Sequence, residues 1–327
     1  MQPSSLPASR PWAALLGLGL LACGNQGLSQ AWQLDRLRVL AVKAEPAEPR
    51  PGDSVSFEAL YYLPGDSLLQ LGLWFACIPE SGAVAGCTVD PETLDQLATL
   101  DPESMTEEEL AALFAKLQAA GLVGAEPLLP PRWTVPETAL DGLTDEEKLE
   151  GLTAMVNITA IPEGASSDAD VELAYKRFPI SLAATPNHNP GLTGFVVEES
   201  AVAEGAAWSA NAGEELAITP VLAADAIETY LYRTDEGEDE ERVEEPYITW
   251  YAEAGEFDQP YSLYPTLDVA WTAPAASDPA VGDDGTVTLL AVLRDRRGGM
   301  GWAALPMVLD AEAAAAAQAR KKGEAGP

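Results

Sequence analysis

The sequence predicts a mainly β protein made of two tandem β-sandwiches, the first of which carries a helical insertion. Three observations support this. Runs that alternate apolar and polar residues, such as Val55 to Tyr61, are bounded by turns rich in glycine and proline. The hydrophobic period changes to that of a helix between residues 90 and 121. Patterns of the first half also recur weakly in the second half, which indicates a duplicated domain.

The chain begins with a polar stretch that holds one positive charge, Arg10, followed by an apolar run from Trp12 to Ala22. A run of this length is typical of the core of a signal peptide and is too short to span a bilayer. Residues Leu20 to Cys23 resemble the bacterial lipobox, in which a peptidase cuts before a cysteine that already carries diacylglycerol.

That resemblance implies that residues 1–22 are a lipoprotein signal peptide and that Cys23, the first mature residue, anchors the protein to a membrane. The alternative is an ordinary signal peptide with an incidental cysteine. Residues 23–35 are then expected to be an N-terminal tether. The residue after Cys23 is Gly24 rather than an aspartate, which by the same resemblance permits export to the outer membrane.

The first sandwich is predicted at residues 36–183. It opens with an extended stretch, a Pro51-Gly52-Asp53 turn and the alternating run that follows. Within it, a helical insertion at about 90–121 begins at Asp90-Pro91 and contains a second helix with a capping box at Thr106. The apolar stripe of that second helix is expected to pack outside the sandwich through Leu110, Leu113, Phe114 and Leu117.

Two further cysteines, Cys77 and Cys87, lie ten residues apart with one proline and two glycines between them. Two such thiols in an exported chain are expected to oxidise to a disulfide. Metal binding is the rival interpretation, but two sulfurs without nearby histidine or further cysteine cannot complete a zinc site. We therefore predict a disulfide and no metal site here.

Residues 184–194 are dense in proline, asparagine and glycine and are the predicted linker. The second sandwich is predicted at 195–310 and ends in a hairpin with a turn from Asp295 to Gly299. The remaining residues, 311–327, form an alanine-rich tail that is expected to be a frayed helix or a disordered end.

The internal repeat is the strongest architectural signal. The segment "RWTVP" around Trp133 recurs as "AWTAP" around Trp271, and "MVNITAI" recurs as "TVTLLAV". If the halves are duplicated, both tryptophans should occupy corresponding places, and alternate residues of the second pair of segments should face inward. The matched inward residues are predicted to be Val156, Ile158 and Ala160 with Val287, Leu289 and Ala291.

The segments "ITWYAEAGEFD", "AWTAP" and "GTVTLLAVLRDRRGG" resemble late strands of immunoglobulin-like domains of the PKD and cadherin-like type in bacterial surface proteins. The fuller pattern resembles lipoproteins of large-genome Gram-negative bacteria. The resemblance covers most of residues 190–310 well and 36–183 less well. It implies two immunoglobulin-like sandwiches and brings no catalytic residues with it, because fold alone does not imply function.

Composition excludes one class of partner. Eighteen lysines and arginines stand against 52 aspartates and glutamates, so the formal net charge is −34. Such a surface repels phosphate backbones, so the sequence predicts no nucleic-acid partner. It also repels anionic lipid headgroups.

The chain shows no pattern of catalytic or cofactor-binding residues. His188 is the only histidine, so a three-histidine metal site is impossible and a Ser-His-Asp triad would depend on a residue in the predicted linker. No GxSxG elbow, P-loop or GxGxxG opening a helix occurs. We expect no catalytic residues, no cofactor and no metal, while a glycosidase-type carboxylate pair stays open because 52 acidic residues make chance pairs inevitable.

Two acidic segments, 234–241 and 277–285, concentrate the hard oxygen donors that calcium requires, although neither has EF-hand spacing. Solvated loops are the alternative. Aromatic residues near them could stack on sugar rings or fill a sandwich core. Of these residues we assign Trp250 and Trp271 to the core and leave Tyr251, Tyr261 and Tyr264 open.

The leading hypothesis is a lipid-anchored, non-catalytic protein of the cell envelope that binds or scaffolds a protein or glycan partner. The membrane contact is made through lipidated Cys23. One alternative is a calcium-dependent adhesion module, and another is an enzyme with an unrecognised carboxylate site.

Overall fold

The structure, a computed structural model, describes residues 30–310 except for 80–86, 88–105, 235, 236, 276 and 283. The predicted signal peptide, Cys23, the start of the predicted helical insertion and the C-terminal tail lie outside the described residues. The described residues from Trp32 to Asp310 belong to one compact unit.

The first sandwich is built from seven strands of the described chain and two helices. The strands are β1 (Arg38–Glu45), β2 (Ser54–Tyr62), β3 (Leu69–Cys77), β4 (Leu122–Glu126), β5 (Arg132–Thr134), β6 (Leu152–Pro162) and β7 (Glu172–Ile180). The helices are α1 (Glu107–Ala119) and α2 (Asp145–Glu150), and a 3-10 turn covers Asp168–Asp170. One sheet has the order β1-β2-β5 and the other β4-β3-β6-β7, with all neighbours antiparallel.

Side chains of the larger sheet alternate between two apolar environments. Trp74 and Ala76 of β3 point into the core between the sheets, where Trp74 is fully buried and its ring stacks on Phe57 at a centroid distance of 6.1 Å. Leu73 and Phe75 of the same strand point to the outer face and are buried there as well. A strand that is apolar on both faces needs a cover on its outer side.

Helix α1 supplies part of that cover. The hydroxyl of Thr106 accepts a hydrogen bond from the N–H of Glu109, whose carboxylate accepts one from the N–H of Thr106, as the capping box predicted. Leu117 is buried on the outer face of β3, and Leu113 is half-buried beside it. The helix therefore lies outside the sandwich, while the side chains of Leu110 and Phe114 lie outside the described residues.

Cys77 and Cys87 form a disulfide, with their Cα atoms 5.5 Å apart. Cys77 ends β3, and Cys87 is buried in the same apolar cluster as Leu117. The bond thus holds Cys87 against the outer face of the sheet at the end of β3.

The second sandwich contains twelve strands within the described residues. They are β8 (Leu192–Val197), β9 (Ser200–Ala203), β10 (Trp208–Asn211), β11 (Glu215–Leu222), β12 (Thr229–Arg233), β13 (Asp239–Val243), β14 (Tyr247–Ala252), β15 (Glu256–Phe257), β16 (Tyr261–Leu263), β17 (Val269–Thr272), β18 (Thr286–Arg294) and β19 (Met300–Asp310). Its two five-stranded sheets have the orders β10-β19-β18-β14-β16 and β15-β17-β11-β8-β9. Strands β12 and β13 form a separate hairpin.

The two sandwiches share one topology. In the first, the sheets β1-β2-β5 and β4-β3-β6-β7 correspond strand for strand to β8-β11-β17 and β16-β14-β18-β19 of the second. Each copy has a fully buried tryptophan on its third core strand, Trp74 on β3 and Trp250 on β14. Two antiparallel sheets with this order and a buried tryptophan at this position are immunoglobulin-like. The predicted fold class, two tandem immunoglobulin-like sandwiches with a helical insertion in the first, is confirmed.

The indole groups show the same correspondence at the level of hydrogen bonds. Trp74 Nε1 donates to the carboxylate of Glu126 on β4 at 3.0 Å, and Trp250 Nε1 donates to the hydroxyl of Ser262 on β16 at 3.1 Å. Each acceptor lies opposite the residue two positions before the tryptophan. Strands β4 and β16 are therefore equivalent edges of the two copies.

This register corrects the alignment of the repeat by two residues. Trp74 lies opposite Ile158 and Trp250 lies opposite Ala291, whereas the sequence repeat matched Ala160 with Ala291. Because side chains alternate with period two, the shift keeps all six predicted residues on the inward face, and all are buried.

The tryptophans of the W-T-x-P segments lie on matching strands. Trp133 on β5 is opposite Val55 of β2, and Trp271 on β17 is opposite Leu216 of β11. Trp133 is half-buried at the edge of its core, but Trp271 is fully buried because β15 adds a further strand beside β17.

The N-terminal segment joins both sandwiches. Leu34 donates its N–H to the carbonyl of Ala252 at 2.9 Å, Ala252 donates to the carbonyl of Trp32 at 3.2 Å, and the Trp32 ring meets Phe257 edge-on. The predicted tether therefore ends as an added bridge on β14 of the second sandwich before it enters β1 of the first.

An apolar contact reinforces this connection. Leu34, Leu40 and Leu290 are buried together, with Tyr62 and Tyr251 packed around them. Burial raises the pKa of Tyr62, and the nearby carboxylate of Glu253 acts in the same direction. Arg294 donates to the carbonyl of Leu40 at 3.1 Å, and Lys43 lies 4.7 Å from the centre of the Trp302 ring.

Candidate functional site

A cluster of polar side chains lies where the two sandwiches meet, and the connecting segment is its centre. Asn187 is 1% exposed. Its side-chain amide donates to Asp295 at 2.8 Å, and its backbone N–H donates to Glu48 at 2.6 Å. Asp295 follows β18 of the second sandwich and Glu48 follows β1 of the first, so one residue bridges both.

Asp295 is held by the turn that the sequence placed between β18 and β19. Its Oδ1 accepts the backbone N–H groups of Arg297, Gly298 and Gly299 at 2.7, 2.9 and 2.9 Å. Burial raises the pKa of Asp295, while these donors, the amide of Asn187 and the charge of Lys176 lower it. A Cβ at residue 299 would lie 2.1 Å from Asp295 Oδ2, so only glycine fits there.

Arg297 forms ion pairs with carboxylates of both sandwiches. It lies 3.0 Å from Glu244, 3.3 Å from Glu228 and 3.6 Å from Glu48, and its guanidinium lies over the ring of Tyr230. Glu244 is buried, which raises its pKa, and its second oxygen accepts the N–H of Glu228 at 3.0 Å.

Lys176 of the first sandwich is the last member of this group. We call the group the junction cluster; it consists of Glu48, Lys176, Asn187, Glu244, Asp295 and Arg297. Lys176 on β7 is buried and donates to the carbonyl of Gly298. Burial lowers its pKa to about 8, and the positive charge of Arg294 adds to the effect while Asp295 opposes it. A lysine of the first sandwich thus ends on the turn of the second.

The junction cluster borders a cavity of about 540 Å³ lined by Tyr230, Arg242 and Glu244. A cavity beside carboxyl groups of raised pKa is a common setting for acid-base catalysis. Here, however, both oxygens of Glu244 and both of Asp295 already accept hydrogen bonds. The arrangement is suited to fixing the two sandwiches together.

His188, the one imidazole available for a triad, has a side chain that is 71% exposed, and its Nδ1 lies 2.7 Å from Glu228. Its neighbour Asn189 binds the carbonyl of Ala44 at 2.7 Å and accepts the N–H of Met300 at 3.0 Å. The segment predicted as a linker, 184–194, therefore lies in the junction, and β8 begins within it at Leu192.

The first acidic segment, 234–241, differs from the predicted loop. Residues from Asp239 onward form β13, which pairs with β12, so the segment is the tip and one arm of a hairpin. Arg233 is paired with Asp239 at 2.9 Å, and Arg242 lies over Tyr232 at 3.6 Å. The tip, residues 235 and 236, lies outside the described residues.

In the second acidic segment, 277–285, Asp278 and Asp284 accept backbone N–H groups two residues further along. Among the residues that the structure describes, no three histidine, cysteine, aspartate or glutamate side chains are grouped so that they could hold a metal ion. No helix in the described part of the chain is long and apolar enough to cross a membrane.

The three tyrosines that the sequence left open differ in burial. Tyr251 packs in the apolar contact between the sandwiches. Tyr261 and Tyr264 are 52% and 41% exposed at the edge strand β16. Beside them lies a groove of about 340 Å³, whose lining includes Asp258, Asp268 and Leu263.

Sequence reasoning missed the junction cluster, because its members are scattered from residue 48 to residue 297. One feature of the sequence does indicate this cluster. The run "RDRRGG" places Arg294, Arg296 and Arg297 together in a chain with only 18 lysines and arginines, and such a local excess of positive charge indicates buried or paired carboxylates nearby.

No protein-family model matches the chain, and no curated protein matches it. Among solved structures, it is similar to the two tandem V-type regions of VCBP3, a v-region-containing chitin binding protein, with 12% identity and a TM-score of 0.28 over 83% of this chain and 100% of that one. It is also similar to three N-terminal domains of the highly immunogenic outer capsid protein (Hoc) of bacteriophage RB49, with 10% identity and a TM-score of 0.20 over 84% of this chain and 70% of that one. TM-scores of this size do not establish a shared ligand.

Proposed function

We propose that this chain is a non-catalytic binding or scaffolding protein of the cell envelope, held to a membrane by lipid on Cys23. It presents two immunoglobulin-like sandwiches as one rigid body to a protein or glycan partner. The observation that carries the proposal is the junction cluster, which commits buried polar groups of both sandwiches to each other.

The buried polar contacts of the junction cluster favour a fixed geometry of the two sandwiches. Separating the sandwiches would leave Asp295 without the amide of Asn187 and Arg297 without Glu48. A hydrogen bond to a buried charge contributes about 1.5–3 kcal/mol, and removing one partner leaves the other desolvated. A rigid pair of domains loses little entropy when it binds, which suits a binding module.

The anchor and the body are consistent with each other. Eight residues separate Cys23 from Trp32, which meets the second sandwich, and a fully extended chain between these two residues spans roughly 30 Å. The net charge of −34 repels anionic headgroups, so lipid on Cys23 supplies the attraction that the surface does not. We propose the outer membrane as the location.

The anchor is tested by labelling cells with a palmitate analogue and separating their membranes. The wild-type chain should carry the label and sediment with membranes, whereas Cys23→Ser should be unlabelled and released, because the thiol is the site of acylation. Asn25→Ser, two residues away, is the matched control and should behave like wild type. Label or full membrane retention in Cys23→Ser would refute the anchor.

A further inference from the structure

The equivalent edges of the two sandwiches differ in one respect. In the first copy, the outer face beside β4 is covered, since Leu117 of α1 packs with Phe75 and Leu122. In the second copy, Tyr261 and Leu263 on the equivalent strand β16 are 52% and 48% exposed. The outer face beside this edge strand is thus covered in the first copy and exposed in the second.

The backbone of β16 also has groups that face outward. Trp250 donates its N–H to Pro260 and Tyr264 donates its N–H to Pro246, at 2.9 and 3.0 Å. Antiparallel hydrogen bonds alternate along a strand, so the N–H and C=O of Tyr261 point away from β14. Leu263, the other outward-facing residue of β16, is bridged to Thr266, so Tyr261 supplies the outward-facing backbone pair of this edge. Such a pair is a template for another extended chain.

The negative charges along this edge favour a positively charged partner. The groove beside β16 is lined by Asp258, Asp268, Gln259 and the apolar residues Val269 and Ala270, and none of its described lining residues is basic. Both carboxylates belong to exposed residues. Positive charge lies one strand further in, where Arg294 and Arg296 lie over Tyr247 of β14.

We propose that β16 docks an extended segment of a partner protein in which basic and apolar residues alternate. Side chains of an added strand alternate between two faces. The apolar residues would lie beside Tyr261 and Leu263 on the outer face, and the basic residues would point toward Asp258 and Asp268. This deepens the proposed function by naming its partner as a cationic strand, and it rests on the chain being a binding module.

The test uses the full chain and a capped hexapeptide of alternating lysine and valine as the probe. Binding is measured by isothermal titration calorimetry, and the site is located from NMR shifts of the Tyr261 to Tyr264 amides. We expect binding that weakens with salt. A peptide with glutamate in place of lysine should not bind, and a lysine-valine peptide methylated at alternate amides should lose binding because it cannot donate to the edge.

Variants distinguish this groove from the general acidity of the surface. Asp258→Asn with Asp268→Asn should weaken binding roughly three- to tenfold, since each exposed ion pair contributes modestly. The matched control, Asp66→Asn with Asp225→Asn, removes the same charge at exposed positions elsewhere and should leave the affinity within twofold. Equal losses in the two double variants would overturn the proposal.

A second comparison tests the apolar side. Leu263→Arg should weaken binding because it replaces the apolar contact with the valines of the peptide by a charge, whereas Leu231→Arg, at a leucine that is also exposed but lies on β12, should not. Unchanged urea midpoints show that both variants fold. Absence of peptide binding, or NMR shifts at β16 with cellohexaose instead, would reject the cationic strand, and neither result bears on labelling of Cys23.

Discussion

At the scale of single residues, the most informative group is Lys176, a lysine buried in an acidic protein. It is 6% exposed, contacts the carbonyl of Gly298 across the junction and has a pKa lowered to about 8 by burial. Its ammonium destabilises the fold relative to a neutral amine at the same place. Lys176 connects the sandwiches through its hydrogen bond to Gly298, and its positive charge does not stabilise the fold.

The lowered pKa of Lys176 makes the free energy of unfolding depend on pH. Between about pH 8 and the unfolded value of 10.5, the unfolded chain holds the Lys176 proton and the folded chain does not, so folding stability gains from a rise in pH. Urea unfolding of wild type and Lys176→Met at pH 7.5 and 9.5 should show the wild type gaining about 2 kcal/mol relative to the variant. Lys116→Met, at a lysine that is exposed, should show no such change. A difference that is constant with pH would contradict the prediction.

At the scale of elements, the outer face of β3 depends on cross-links as well as on packing. Among the described side chains of helix α1, Leu117 is buried against this face, and the disulfide with Cys77 holds Cys87 beside it. The sequence predicted both elements, because a capping box and a cysteine pair are local signals.

Removal of the disulfide should therefore be costly. Cys77→Ala with Cys87→Ala is expected to lower the free energy of unfolding by about 2.5–3 kcal/mol, because a loop of 10 residues is no longer closed in the unfolded chain. Mass spectrometry of a non-reduced digest of wild type should show the two peptides joined. A reducing agent should destabilise wild type and leave the variant unchanged; two free thiols in the purified wild type would refute the pairing in solution.

At the scale of the whole molecule, the two sandwiches are expected to unfold together. The junction cluster and the apolar contact around Leu34 both couple them, so wild type should show one calorimetric transition. Leu34→Asp with Asn187→Ala breaks both contacts and should divide it into two transitions. Leu231→Asp with Asn211→Ala makes the same changes at exposed positions and should preserve a single transition. Two transitions in wild type would mean that the coupling is weak.

The amino-acid pattern alone was enough to predict the alternating strands, the capped helices, the cysteine pair, the turn after β18 and the duplication. Each depends on residues close in the chain, or on a pattern that repeats with a fixed period. The fold class followed from these signals. The register of the repeat was wrong by two residues, because a shift of two leaves every side chain on the same face and so leaves no trace in the hydrophobic pattern.

The contact between the sandwiches and the exposure of the outer face beside β16 depend on the three-dimensional fold. A segment rich in asparagine and proline has the composition of a linker, yet Asn187 is buried because Asp295 and Glu48 approach it from positions more than 100 residues away in the sequence. Likewise, Tyr251 and Tyr261 are alike in sequence, but the first is packed against the other sandwich and the second faces solvent. Burial depends on contacts distant in the chain, which no local pattern records.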